Sequence, residues 1–246
     1  MLIYVVNICI YKKETSMPKI FGWQHITYLI IFVLVAILTI ILAKKYLKTE
    51  KQQTILIKVI AVMLFMSVIA CRIGISIHNG WKYFLPNTFC GLTSLLFSII
   101  VIFGKPNMKI YHCLWYMALV GGIITLIYPD FIGQNESFFY LDTFTSFLHH
   151  SFCILLCVVM LYFNWFKPEI KKSYYFPMVF CLYIVWGLFD IKILKVHDSM
   201  SINFPLLSGT CLNCWFILAI GTILVVVFNL IIELIRSIKK KRLKNK

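Results

Sequence analysis

Long apolar stretches alternate with short polar punctuation along this chain, and the lengths of the stretches decide how it folds. A helix needs about 20 predominantly apolar residues to cross the hydrocarbon core of a bilayer. Runs near that length, bounded by charge, proline or amide-rich segments, predict seven helices over roughly Gly22–Ala43, Ile55–Ile77, Pro86–Phe103, Tyr111–Tyr128, Phe144–Phe166, Tyr174–Leu194 and Cys211–Ile235. The runs are continuous and lack the two-residue alternation of barrel strands, and backbone groups in lipid must be satisfied within the segment, so helix is the economical choice. The expected fold is therefore all-α, a polytopic transmembrane bundle of seven helices. It divides into a short N-terminal segment (1–20), a membrane domain (21–236) and a basic tail (237–246).

Composition agrees with this pattern. Of 246 residues, 61% are hydrophobic and 13% charged, against about 25% charged in an ordinary soluble domain. A single soluble core could not hide so many long apolar runs and still present a polar surface to water. The expectation is a multi-pass protein of the cell membrane, with membrane lipids as its surroundings.

Basic residues orient the bundle, because Lys and Arg near span ends are retained on the cytoplasmic side. With the N-terminus outside, 16 of the 24 basic residues fall in the cytoplasmic loops and tail, 6 fall outside, and Lys58 and Arg72 lie within spans. The formal charge of +15 invites a nucleic-acid reading. The cations sit in those loops and in the tail Arg236, Lys239, Lys240, Lys241, Arg242, Lys244 and Lys246, where they set topology and rest on anionic lipid headgroups, so no nucleic-acid partner is expected. The oligomeric state is left open. Residues 1–10 are apolar but lack a basic n-region and a cleavage site, so they do not form a signal peptide, and Met17 is an alternative start.

Nine cysteines scattered through the spans make no disulfide framework. Cys153 and Cys157, four apart on one helix face, read as packing residues. The Cys211–Cys214 CxxC lacks the second pair or soluble context that a redox or metal site needs, and no metal or cofactor is expected.

Ionisable groups inside a membrane are costly and tend to line a site, and on the derived topology they gather in its outer half. His25 opens helix 1, Arg72 and His78 end helix 2, and Cys90 lies about one turn into helix 3. Asp130 closes helix 4, Asp142, His149 and His150 open helix 5, and Asp190 and Asn213 lie near the outer ends of helices 6 and 7. The inner halves hold little comparable. Within this group a thiol and an imidazole can perform group transfer: histidine takes the thiol proton, the thiolate attacks an ester carbonyl, and the acyl group passes to a second acceptor.

The segments LPNTFCGLTSLLF, GGIITLIYPD and SFLHHSFCILLCVVMLY, in that order between Leu85 and Tyr162, resemble the YwaF/TMEM164 family of integral membrane proteins, as does FGWQH at Phe21–His25. The resemblance runs from Phe21 to about Leu224. Animal members are regarded as membrane acyltransferases or transacylases with an intramembrane Cys and His, and distantly similar proteins hydrolyse lipid esters. Carried over, the resemblance implies Cys90 as nucleophile and His150 as base, with His149 the alternative because the doubled histidine blurs the register. The start of the last helix departs from the family pattern, reading GTCLNCWF in place of a Trp- and Pro-rich stretch, which leaves the acceptor open.

The expected function is lipid acyl transfer or lipid ester hydrolysis, with Cys90 as nucleophile, His150 or His149 as base, and Arg72 with His25 or His78 holding a headgroup phosphate or polarising the carbonyl. The alternative is a small-solute transporter or envelope accessory protein whose outer cavity uses the histidines to carry protons, with Gly121 and Gly122 as the points that permit rocking.

Overall fold

In the computed structural model, which describes residues 21–129, 138–207 and 209–244, the fold is helical, with no strand among the described residues. The segment 1–20 with its Met17 alternative, and Asp130, lie outside the described residues. Seven α-helices follow in order: α1 (Trp23–Tyr46), α2 (Glu50–Asn79), α3 (Phe89–Phe103), α4 (Tyr111–Ile127), α5 (Leu141–Tyr162), α6 (Tyr175–Lys192) and α7 (Cys214–Lys244). Each lies where an apolar run predicted one. Five helical segments, Trp23–Tyr46, Glu50–Asn79, Leu141–Tyr162, Ile170–Lys192 and Cys214–Lys240, are long and apolar enough to cross a membrane, whereas α3 and α4 are shorter.

The boundaries that differ from expectation have local causes. Helix α2 starts at Glu50 because Thr49 and Gln52 form a capping box, in which the Gln52 amide donates to Thr49 Oγ1 and the Gln52 side chain accepts from the Thr49 amide. Helix α5 ends at Tyr162, before the expected Phe166, because Asn164 adopts a φ of 57° and the amides of Trp165 and Phe166 turn back to the Met160 carbonyl. Helix α7 opens at Cys214, where Asn213 Oδ1 accepts from the amides of Trp215 and Phe216, and continues through the basic tail to Lys244. Asn213 is thereby accounted for as a helix cap.

The centre of the bundle is α2, α3, α4 and α5, packed around Leu64, Phe97, Tyr111, Leu114, Trp115, Leu156 and Met160. Helix α1 is peripheral, with 6% of its apolar window buried. The close approaches use small residues. A Cβ at Gly74 of α2 would meet the Asp142 amide nitrogen of α5 at 2.8 Å, and one at Gly122 of α4 would meet Ile154 at 2.8 Å and the His150 carbonyl at 3.1 Å.

Helix α3 is the shorter of the two short helices. At 15 residues it covers about 22 Å of a core that is about 30 Å thick. It is preceded by the segment from Gly80 to Thr88, which holds one 3-10 turn at Trp81–Tyr83 and is otherwise irregular, and such backbone is tolerated at membrane depth only where protein satisfies its polar groups.

Candidate functional site

That loop is satisfied carbonyl by carbonyl. From α2, Arg72 donates Nε to the Phe84 carbonyl (3.0 Å) and Nη2 to the carbonyls of Tyr83 and Leu85 (the latter 2.6 Å), with Asn87 Oδ1 at 3.4 Å. From α6, Trp186 Nε1 donates to the Pro86 carbonyl at 2.8 Å. The Asn87 carbonyl accepts from the Met200 amide at 3.0 Å, and the Ser199 hydroxyl lies 3.1 Å from it. The same hydroxyl sits 2.7 Å from Asp190 Oδ2. Asp190 is buried, its Oδ1 has no partner among the described residues, and it lies within electrostatic reach of Arg72. The loop is thus held between a buried cation on one side and a buried carboxylate on the other.

The fastened loop delivers Cys90 to the first turn of α3. Thr88 is the N-cap, its Oγ1 accepting from the Gly91 amide at 3.2 Å, so Cys90 is the second helical residue and not one turn in, as a start at Pro86 had predicted. At that position the backbone N–H groups have no intrahelical acceptor and the helix dipole favours negative charge, which suits a thiolate or an oxyanion. The Thr125 side chain of α4 lies beside the thiol.

One contact sets the register of α3 against α5: Ser94 Oγ and Cys153 Sγ lie 3.2 Å apart in the core. Both helices start at the same end of the bundle, and Cys90 precedes Ser94 by one turn just as His149 and His150 precede Cys153. The thiol and the two imidazoles therefore share one layer, about 12 Å below the start of α5 at 1.5 Å per residue.

Both histidines are buried, with ring centroids 4.2 Å apart, but they are not equivalent. His149 Nδ1 lies 3.1 Å from the Thr145 carbonyl, and since a carbonyl only accepts, the neutral ring carries its proton on Nδ1 and its lone pair on Nε2. That Nε2 is buried and has no partner among the described residues. Arg72 is within electrostatic reach of the same ring.

The other expected site residues lie elsewhere. His25 is buried and fully used: its Nδ1 accepts from the Phe21 amide at 3.1 Å, which leaves Nε2 to donate to the Leu126 carbonyl at 2.7 Å. It ties the start of α1 to the unpaired end of α4. His78 is exposed in the last turn of α2, with its ring 5.9 Å from that of Tyr140. Asp142 Oδ1 accepts from the Thr143 amide at 2.9 Å. Cys211 and Cys214 are free, the first exposed and the second buried. Helix α4 runs unbroken through Gly121 and Gly122, and no cluster of metal-ligating residues forms among the described residues.

Sequence reasoning missed several residues. Thr145, Thr125, Trp186 and Ser199 carry no charge, and only the first could have been found, as the residue one turn before His149. The far end of the bundle also holds more polar groups than expected. Asn229 is fully buried, with Tyr116 donating to its Oδ1 at 2.6 Å and its Nδ2 donating to Ser173 at 2.8 Å, and His112 is buried with Nδ1 unpartnered among the described residues.

Compared with known proteins, the chain matches the family model described as the TMEM164 family over residues 20–232. No curated protein and no solved structure matches it.

Proposed function

This chain belongs to the TMEM164 family, and from that premise we propose that it is a membrane thiol acyltransferase or esterase acting on lipid esters, with Cys90 as nucleophile and His149 as its base. The observation that carries this reading is the His149 ring: a buried imidazole with Nδ1 committed to the Thr145 carbonyl and an unpartnered Nε2, in the layer of a thiol at a helix N-terminus.

The reaction is a two-step exchange. His149 Nε2 takes the Cys90 proton and the thiolate adds to the ester carbonyl, forming a C–S bond and an oxyanion. Collapse breaks the ester C–O bond, and the departing alcohol takes the proton back from Nε2, leaving a thioester on Cys90. An acceptor alcohol or water then gives its proton to Nε2, attacks the thioester and regenerates the thiol. The N–H groups opening α3 serve the oxyanion. Arg72 acts chiefly by fixing the loop that presents Cys90, and its charge adds a positive field to the site. His25 joins α1 to α4 in this scheme and has no place on the substrate.

The experiment is to trap the intermediate. Membranes containing the protein are incubated with a phospholipid bearing an alkyne-tagged acyl chain, and tagged protein is scored before and after hydroxylamine. A hydroxylamine-labile tag on the Cys90 peptide, absent in Cys90→Ala, is expected. A wild-type protein that carries no more tag than Cys90→Ala in every lipid class tested overturns the reading.

A further inference from the structure

Adjacent glycines on α4 meet different surroundings. Gly122 faces α5 and is packed tightly, as its contacts with Ile154 and His150 record. Gly121, about a quarter-turn round the helix, faces α3. A Cβ built there meets Cys90 Sγ at 3.0 Å and, its chain neighbours and its own helix backbone aside, no other described atom within 4 Å. The absent side chain lets the Cys90 sulfur pack against the bare Gly121 backbone, so that on this side only a glycine covers it, a notch in the side-chain cover of α4.

The notch opens toward lipid. Gly121 and Cys90 are both partly exposed, whereas Thr125, His149, His150 and Ser94 in the surrounding layer are buried. The thiol lies within electrostatic reach of Cys153 of α5 and Tyr183 of α6, and the Arg72 guanidinium of α2 lies 3.8 Å from a Cβ built at the next residue, Gly91. The residues flanking Gly121 on α4, Val120, Ile123 and Ile124, are exposed and apolar, and Gly121 lies about 9 Å below the end of that helix. Apolar residues exposed at this depth face hydrocarbon, not water.

We propose that Gly121 forms a lateral port through which the acyl ester of a bilayer lipid reaches Cys90 directly from the membrane, and that the lack of a side chain at this position sets which substrates are admitted. The port rests on the reading of Cys90 as nucleophile for its purpose, though not for its test. A substrate arriving this way keeps its chain in hydrocarbon and brings only the ester carbonyl to the sulfur. A soluble acyl donor has no such path. A side chain at Gly121 would occupy the place of the carbonyl.

Alkylation of Cys90 measures access without requiring catalysis. The full-length protein in liposomes is treated with hexadecyl maleimide dissolved in the bilayer, or with a charged, membrane-impermeant methanethiosulfonate in the water. Modification is read peptide by peptide, with Cys181, an exposed cysteine within α6, as internal standard. Wild-type Cys90 is expected to react with the bilayer reagent and to resist the aqueous one. Gly121→Leu should slow the bilayer reaction at Cys90 about tenfold, the scale of about 1.4 kcal/mol, with Cys181 unchanged. Should Gly121→Leu fail to insert, Gly121→Ala replaces it and should slow the reaction by a smaller factor in the same direction. Faster reaction with the aqueous reagent, or a Cys90 rate that either variant leaves unchanged, overturns the port. A port that passes while no thioester ever forms on Cys90 refutes the enzymatic reading alone.

Discussion

Ser94 and Cys153 meet at 3.2 Å between α3 and α5, one helical turn beyond Cys90 on the first helix and beyond His149 on the second. The two residues are uncharged and unremarkable in sequence, yet each stands one helical turn from a residue that can do chemistry. Their pairing turns an unknown rotation of two helices into a fixed one, because one turn along each helix from a contact is again the same face.

The two histidines should therefore separate on mutation. General base catalysis contributes about 10²–10⁴-fold, so His149→Ala should slow thioester formation on Cys90 by about that range. His150→Ala should cost far less. The check is the rate at which the alkyne-tagged acyl chain appears on Cys90 in each variant, and a larger loss for His150→Ala would transfer the role of base to it.

Arg72 should tolerate no conservative replacement. Four acceptors, the carbonyls of Tyr83, Phe84 and Leu85 and the Asn87 side chain, share one guanidinium. A lysine places a single nitrogen where Nε and Nη2 now diverge. Leaving buried carbonyls unpaired costs about 1–3 kcal/mol each, so Arg72→Lys should lower the thermal midpoint in detergent and loosen the loop before α3. Limited proteolysis after Lys82 measures the second effect. Unchanged stability and cleavage would mean that the loop holds itself without the clamp.

Legibility followed distance along the chain. All seven helices could be read from runs of apolar residues because spanning length is a local property, and the boundary errors arose from equally local chemistry at Thr49, Asn164 and Asn213. The proposed site was half legible. Cys90, Arg72, His149 and His150 stand out as candidates because polar groups are rare in spans, but the roles proposed for them depend on partners far away in sequence. Arg72 looked like a phosphate ligand until its carbonyl partners in the loop were known. His25 looked like a site histidine until the Leu126 carbonyl, 101 residues away, accounted for its second nitrogen. The choice of His149 over the expected His150 came from which ring nitrogen the Thr145 carbonyl engages, a matter of rotamer that helical periodicity does not determine.

His25 should accordingly behave as a fastener. His25→Phe keeps ring packing against Phe147, whose centroid lies 5.8 Å away, while removing the donor to the buried Leu126 carbonyl. The expected loss is about 1–3 kcal/mol of stability, seen as a lower thermal midpoint, with thioester formation per folded molecule close to wild type at a temperature well below it. A variant that is stable yet inactive would place His25 on the substrate after all.

Gly121 and Gly122 offer a test in which neighbouring substitutions of the same kind should have opposite effects on stability. Replacing glycine by alanine in a helix interior gains about 0.8–1.0 kcal/mol of intrinsic propensity. At Gly121 little opposes that gain, because only the movable Cys90 sulfur lies within 4 Å among the described residues, so Gly121→Ala should be neutral or stabilising in the folded protein. At Gly122 the added methyl meets Ile154 at 2.8 Å and the His150 backbone at 3.1 Å, and overpacking of this kind costs about 1–3 kcal/mol. Gly122→Ala should therefore lower the thermal midpoint, and by moving the α5 backbone at His150 it should also disturb the layer that holds His149. Midpoints for the two variants in one detergent settle the matter: if both rise, the contact between α4 and α5 is looser than these distances require.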